Sequence, residues 1–184
     1  MATARTANTA PMRIVQNGGQ IISRVKKAGG QVDAAQCQLG VLTRNGRIMP
    51  APFIGGTDLL EINATNYPGP YAVLVEDFDY SEDGTAKYIA YQEINDDTII
   101  EMQSLGAGSV NTSNIGEQKA LVWNAKSKVV SMNYGPPSAN PVVEIVDVEQ
   151  NWNPWKDEAD GKNNLVRVKV LPALTAAAPG LTFG

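Results

Sequence analysis

The 184-residue sequence contains no histidine. That removes imidazole as a general base, and with it the Ser-His-Asp and Cys-His arrangements of nucleophilic catalysis. Histidine-ligated zinc is excluded too, and a single cysteine cannot build a thiolate site instead. That cysteine, Cys37, has no partner for an intrachain disulfide and reads as a small buried apolar residue. Charged residues are only 18%, too few for a helical bundle, which would want Leu, Glu and Lys. No run approaches the ~18 apolar residues of a membrane span. The opening "MATARTANTAPMR" lacks the apolar core of a signal peptide. These absences predict a chain that engages no membrane and is made in a reducing cytoplasm. They leave carboxylate pairs, lysine chemistry and oxygen-ligated metals as the common enzyme chemistries still open.

What is present is Gly, Ala, Thr, Asn and Pro, the composition of a β-rich, turn-rich protein. The length suits one domain, or two small ones in close contact. A chain of this size buries roughly 70% of the surface its unfolded form exposes, so it needs neither disulfide nor metal to fold. Charge is uneven. Residues 1–50 carry seven bases against one acid, a net of +6, and the remainder eight against eighteen, a net of −10. Such polarity fits a basic leading segment that docks on something acidic, or a solvated surface without that role.

Residues 1–20 read as a flexible N-terminal arm ending in "NGG". "QIISRVKKAGG" fits a short strand or a single amphipathic turn. In "LGVLTRNGRIMP", two apolar runs flank Asn45-Gly46, the strongest short hairpin signal. "YAVLVEDF" is an apolar run that predicts a strand buried on both faces, with "AKYIAYQEI" as its partner across an acidic turn. "NDDTIIEMQSL" is compatible with a helical turn capped by Asn95 or Asp96, or with a strand through Thr98, Ile99 and Ile100. "GAGSVNTSNIG" is the best subdomain boundary, dividing residues 21–105 from an additional β-rich portion, 106–184. There, "KALVWNAKSKVVSMNY" predicts a hairpin and "NPVVEIVDVEQNW" a strand. "NLVRVKVLP" predicts a strand with Val166, Val168 and Val170 on one face and Arg167 and Lys169 on the other. The tail "ALTAAAPGLTFG" is expected to drape over a surface.

Two acidic stretches invite a chemical reading. "EDFDYSEDGTAKY" offers Asp79, Ser81, Asp83 and Gly84 in the register of a calcium loop. The match then fails, because Lys87 takes a ligand position and Ala90 the closing carboxylate position. A glycosidase needs two carboxylates facing across a cleft, and acids clustered on one turn repel one another instead. Distant pairs such as Glu93 with Glu144 exist, but nothing selects them. The stretch therefore reads as a hairpin end with Asp83-Gly84 as its turn. In "WNPWKDEADGKNN", Trp152 and Trp155 read as interface anchors rather than a ligand platform. Arg24, Lys26 and Lys27 lack interleaved aromatics, so nucleic acid is not an expected partner. No metal, cofactor or catalytic residue is assigned.

Between residues 31 and 103 the order of segments resembles the head decoration proteins of tailed bacteriophages, of the lambda type. The resemblance is carried by "QLGVLTRNGRIMPAP" and "GPYAVLVEDFDYSEDGTAKYIAYQEINDDTIIEM". In that family an aliphatic strand ends in Asp-x-Asp and a turn leads to a second strand. Leu74, Val75, Asp77, Asp79, Ile89, Glu93 and Asn95 fall on the equivalent places. Two departures are the longer "NATNYPGP" linker and residues 106–184, which small family members lack.

The resemblance implies a mainly β fold with minor helix: a small antiparallel or mixed β-barrel-like (β-tulip-like) core, here with a further β-rich portion and extended termini. It implies a capsid cement protein, a homotrimer whose partner is the major capsid protein on the outer surface of the virion. An arm of residues 1–27 is expected to order on docking, with Arg5, Arg13, Arg24, Lys26 and Lys27 attaching it electrostatically. Another tail or shell subunit is the structural alternative, and a carboxylate-dependent glycan hydrolase domain the enzymatic one.

Overall fold

The computed structural model describes residues 12–25, 39–43, 46–51, 53, 60, 70–75, 88–105, 110–124, 129–134, 141–149 and 165–175. They form twelve strands: β1 (Arg13–Gln16), β2 (Ile21–Val25), β3 (Leu39–Leu42), β4 (Ile48–Pro50), β5 (Tyr71–Leu74), β6 (Tyr88–Glu93), β7 (Ile99–Leu105), β8 (Gln118–Lys119), β9 (Leu121–Asn124), β10 (Val129–Asn133), β11 (Val143–Glu149) and β12 (Leu165–Val170). A single helical turn, α1 (Pro172–Thr175), follows β12 and buries Leu174. The fold is mainly β with minor helix, its curled sheets forming a half-barrel.

The smaller sheet has the order β2-β6-β5-β3-β4 and is antiparallel throughout. Its β3–β4 hairpin is the one Asn45-Gly46 predicts. Leu42 stands opposite Ile48, and Gly46 takes φ +67°, which a residue without Cβ adopts freely. "YAVL" is buried at every position because both faces of the sheet are covered at β5. One face packs Leu42, Ile48, Ala72, Leu74, Ile89 and Tyr91 together. The other carries Leu39, Val41, Met49, Tyr71 and Val73 into the main core.

The larger sheet runs β8-β11-β12-β7-β10-β9, with β1 added to β7. β12 matches its expected pattern: Val166, Val168 and Val170 are buried, Arg167 is exposed and Lys169 half-buried. The β9–β10 hairpin is antiparallel, with Val129 opposite Asn124. β7 is the hub. One edge takes β12 from Ile99 to Gln103. The opposite edge is shared, with β1 antiparallel over Ile99–Glu101 and β10 parallel at Ser104 and Leu105.

Where the residues left helix and strand open for "NDDTIIEMQSL", the strand forms. The Asn95 N–H donates to Thr98 Oγ1 (2.8 Å) and the Thr98 N–H to the Asn95 carbonyl (2.9 Å). This closes a tight turn, and β-branched Thr98, Ile99 and Ile100 enter the pleat. Two observations bear on the expected divisions. Arg13–Gln16, assigned to a flexible arm, is a strand in the larger sheet; residues 1–11 lie outside the described residues. β7 lies before the "GAGSVNTSNIG" linker, yet pairs with β12 and β10 beyond it. The physical reason is that both edges of β7 present backbone groups that need partners, and those partners come from distant parts of the chain.

Two adjacent crossings join the sheets. Asn17–Gln20 carries the chain from β1 to β2, and Ile94–Thr98 carries it back from β6 to β7. They are bonded to each other: Thr98 Oγ1 donates to the Asn17 carbonyl (2.7 Å), Asn17 Nδ2 to the Asp97 carbonyl (3.2 Å), and the Gly19 N–H to the Glu93 carbonyl (2.9 Å). Asn17 takes φ +53°, and a Cβ on Gly19 would stand 2.7 Å from that of Glu93. The "NGG" step thus breaks the strand to turn a corner between packed sheets.

Candidate functional site

Four strands meet in one row of alternating charge on the larger sheet. Glu101 on β7 stands opposite Arg13 on β1 and Arg167 on β12, and Arg167 stands opposite Asp147 on β11. Directly opposed residues share a face of the sheet, so the side chains meet. Glu101 Oε1 accepts from Arg13 Nε (2.8 Å), Oε2 accepts from Arg167 Nε (3.3 Å), and Arg167 Nη1 donates to Asp147 Oδ2 (3.0 Å). The Glu101 side chain is only 6% exposed, so it depends on these two guanidinium groups for compensation. The alternation of β12 pointed Arg167 outward, but nothing in the sequence marked Glu101 as its partner.

A second cluster lies at the β8 end. Asn111 caps the 3-10 turn Thr112–Asn114 in a reciprocal box: its side chain accepts from the Ser113 N–H (2.9 Å), and its own N–H donates to Asn114 Oδ1 (3.0 Å). Asn114 Nδ2 donates to Glu117 Oε1 (3.0 Å), whose other oxygen pairs with Lys119 Nζ (2.9 Å). The buried Lys119 also lies 4.9 Å over the Tyr134 ring, a cation–π contact. The Asn114 amide, then the Lys119 ammonium, hold the Glu117 carboxyl below the usual carboxylate range. A group with a depressed folded pKa stabilises above its unfolded pKa, and that stability is lost as pH falls through the folded pKa. Glu117→Gln is therefore expected to be less stable than the parent at neutral pH, the gap closing in acid. Denaturant midpoints across pH test this; a gap independent of pH would overturn it.

The residues of the decoration-protein pattern divide between core and junction. Leu74 and Ile89 are buried in the smaller cluster. Val75 is exposed just beyond β5, its N–H donating to the Ala90 carbonyl (3.0 Å). Glu93 ends β6, bonded through its backbone to Gly19 and Gln20, and Asn95 is exposed at the crossing. Asp77 and Asp79 lie outside the described residues, with the rest of the acidic stretch from 76 to 87. So do Arg5, Lys26, Lys27, Cys37, Trp152 and Trp155. Arg24 lies in β2, opposite Ile89. Of the cations expected to attach the arm, Arg13 has a partner within its own chain, Glu101.

Glu93 and Glu144, the distant carboxylate pair, lie on different sheets. Glu93 lines a cleft of about 210 Å³ with Tyr71, Tyr91 and Asn95, where it is the one carboxylate among the described residues. Among the described residues, two facing acids, the requirement of glycoside hydrolysis, do not meet there. Among the described residues no three Asp, Glu, Cys or His side chains are grouped to hold a metal ion. No family model matches the chain, and neither a curated protein nor a solved structure matches it.

Proposed function

We propose that the chain is a structural protein of a tailed-phage virion, binding the outer surface of the expanded capsid as a homotrimer and stabilising it without catalysis. The observation that carries this reading is the β5–β6 pair. The strands bearing the family pattern are adjacent and antiparallel, Leu74 opposite Tyr91, with Leu74 and Ile89 in their core. Beside them the surface exposes Val75, Tyr88 and Ile21. Exposed apolar residues of this kind suit a protein whose work is binding. Each copy would bridge several capsid subunits, so contacts that are individually weak add through avidity. The attaching arm is narrowed to residues 1–11, because Arg13–Gln16 is committed to β7.

Sedimentation with expanded, undecorated heads tests the proposal. The full chain is expected to bind and to raise the heads' resistance to heat. Deletion of residues 1–11 is expected to weaken binding by about tenfold or more. A full chain that does not bind such heads sinks the assignment; a deletion that binds equally well removes the arm from it.

A further inference from the structure

Every sheet exposes edges, and most edges among the described strands are blunted. β4 has three residues and ends at Pro50, which has no N–H to offer. On β9 the Leu121 carbonyl already accepts from the Leu60 N–H (3.0 Å). β8 is two residues long. Beyond it β11 bulges between Ile145 and Asp147, and the Val148 N–H is taken by the Asp147 carboxylate (2.9 Å). β1 is bulged between Ile14 and Gln16. These are the usual devices against unwanted strand pairing.

β2 is neither short, bulged nor interrupted by proline, and charge at Arg24 is the one such device within it. All five residues pair in regular register with β6, from Ile21 opposite Gln92 to Val25 opposite Tyr88. The Glu93 N–H donates to the Gln20 carbonyl, so the backbone of Gln20, Ile22 and Arg24 faces β6. The N–H and C=O groups of Ile21, Ser23 and Val25 therefore face away from the sheet. β2 ends the strand order, and among the described residues no strand covers that edge. The sheet face beside it exposes an apolar residue at each end, Ile21 at 64% and Tyr88 at 67%, with Ser23 and Gln92 on the same face. Gln92, Ala90 and Tyr88 alternate along β6, and Ile21 opposes Gln92, so Ile21 and Tyr88 share this face.

We propose that the outer edge of β2 accepts an extended acidic segment of a partner protein as a further strand of the sheet. Charge selects that occupant. Arg24 stands in β2, with Lys26 and Lys27 next in sequence, the densest run of cations in a chain of net charge −4. β2 itself holds no carboxylate, so pairing it with β2 of a second copy would leave that positive charge unanswered. A strand alternating apolar and acidic residues meets both demands. Its apolar residues lie beside Ile21, its backbone completes the bonds of Ile21, Ser23 and Val25, and its negative charge complements the positive charge of this stretch of sequence. This edge has that chemistry whether or not the chain docks on capsids.

The probe is a short synthetic peptide alternating valine or threonine with glutamate, added to the full chain. The expected result is binding, with slowed amide exchange at Ile21, Ser23 and Val25. A twin peptide with lysine for glutamate is expected to bind at least about tenfold more weakly. Charge reversal at Arg24, Lys26 and Lys27 is expected to invert that preference. Ser23→Pro removes one outward N–H at a site where proline is tolerated, and is expected to abolish binding while the melting temperature holds. If Ser23→Pro unfolds the chain, the exchange pattern of the parent decides alone. Equal binding of the two peptides, or no protection at the three amides, overturns the proposal. Self-association lost on Ser23→Pro would also overturn it, assigning the edge to a second copy.

Discussion

Trp123→Ala is expected to lower stability by about 3–5 kcal/mol, and the two sheets are expected to melt together. Trp123 is buried on β9, in the larger sheet, with its ring centroid 6.2 Å from that of Phe53 at a tilt of 42°. Phe53 follows β4 in the smaller sheet, and Leu60, bridged to Phe53, bonds through its N–H to the Leu121 carbonyl. The indole thus fills the seam where the chain leaving one sheet docks on the other. Leu39, Val41 and Val73 from the smaller sheet and Val130, Val166 and Val168 from the larger belong to that same core. A cavity there removes contacts from both, because close-packed interiors relax only in part. Denaturation followed by circular dichroism, with amide exchange at β5 and β12, should give one transition in parent and variant. Survival of β3–β6 after the larger sheet has unfolded would restore two independent units. A double-mutant cycle with Phe53→Leu should return a coupling of about 0.5–1.5 kcal/mol.

Gly40→Val is expected to cost about 1–3 kcal/mol through overpacking. Gly40 lies inside β3, opposite Ala72 on one side and Pro50 on the other. A glycine within a strand is usually a weakness, and a β-branched residue would raise strand propensity. Here the space is already filled. A Cβ at this position would stand 2.8 Å from Leu74 Cδ2 and 2.9 Å from Ile48 Cδ1. Both contacts are side-chain ends, so alanine is expected to be milder than valine, and Leu74→Val should restore part of the loss. That rescue separates crowding from any backbone effect, since neighbours sharing one space are non-additive. Chemical denaturation reads the series. A valine variant as stable as the parent would mean that the smaller cluster has room to give.

Much of this fold was legible in local residue order. Asn45-Gly46 named its hairpin because the turn needs a residue that tolerates positive φ. The alternation of Leu165–Val170 named both a strand and its buried face, since side chains in a strand reverse direction at each residue. "YAVL" announced burial on both sides, and the two clusters explain why. "NDDTIIEMQSL" was ambiguous, and β12 and β1 on either edge of β7 made it a strand. The Gly106–Gly116 linker looked like a boundary because Gly, Ser and Asn break local structure, yet strands on either side of it share one sheet.

The sequence by itself determined the class of fold, its best hairpins and the catalytic chemistries that lack of histidine removes. These follow from single residues and from period-two patterns, which are properties of the nearest few positions. Only the tertiary structure decided that Arg13 answers Glu101, that Arg167 joins Glu101 to Asp147, and that β2 ends its sheet among the described residues. Those outcomes depend on which strands lie side by side. Strand order is settled by long-range competition for backbone partners and apolar surface, and Arg13 and Glu101 stand too far apart in the chain for any local pattern to join them.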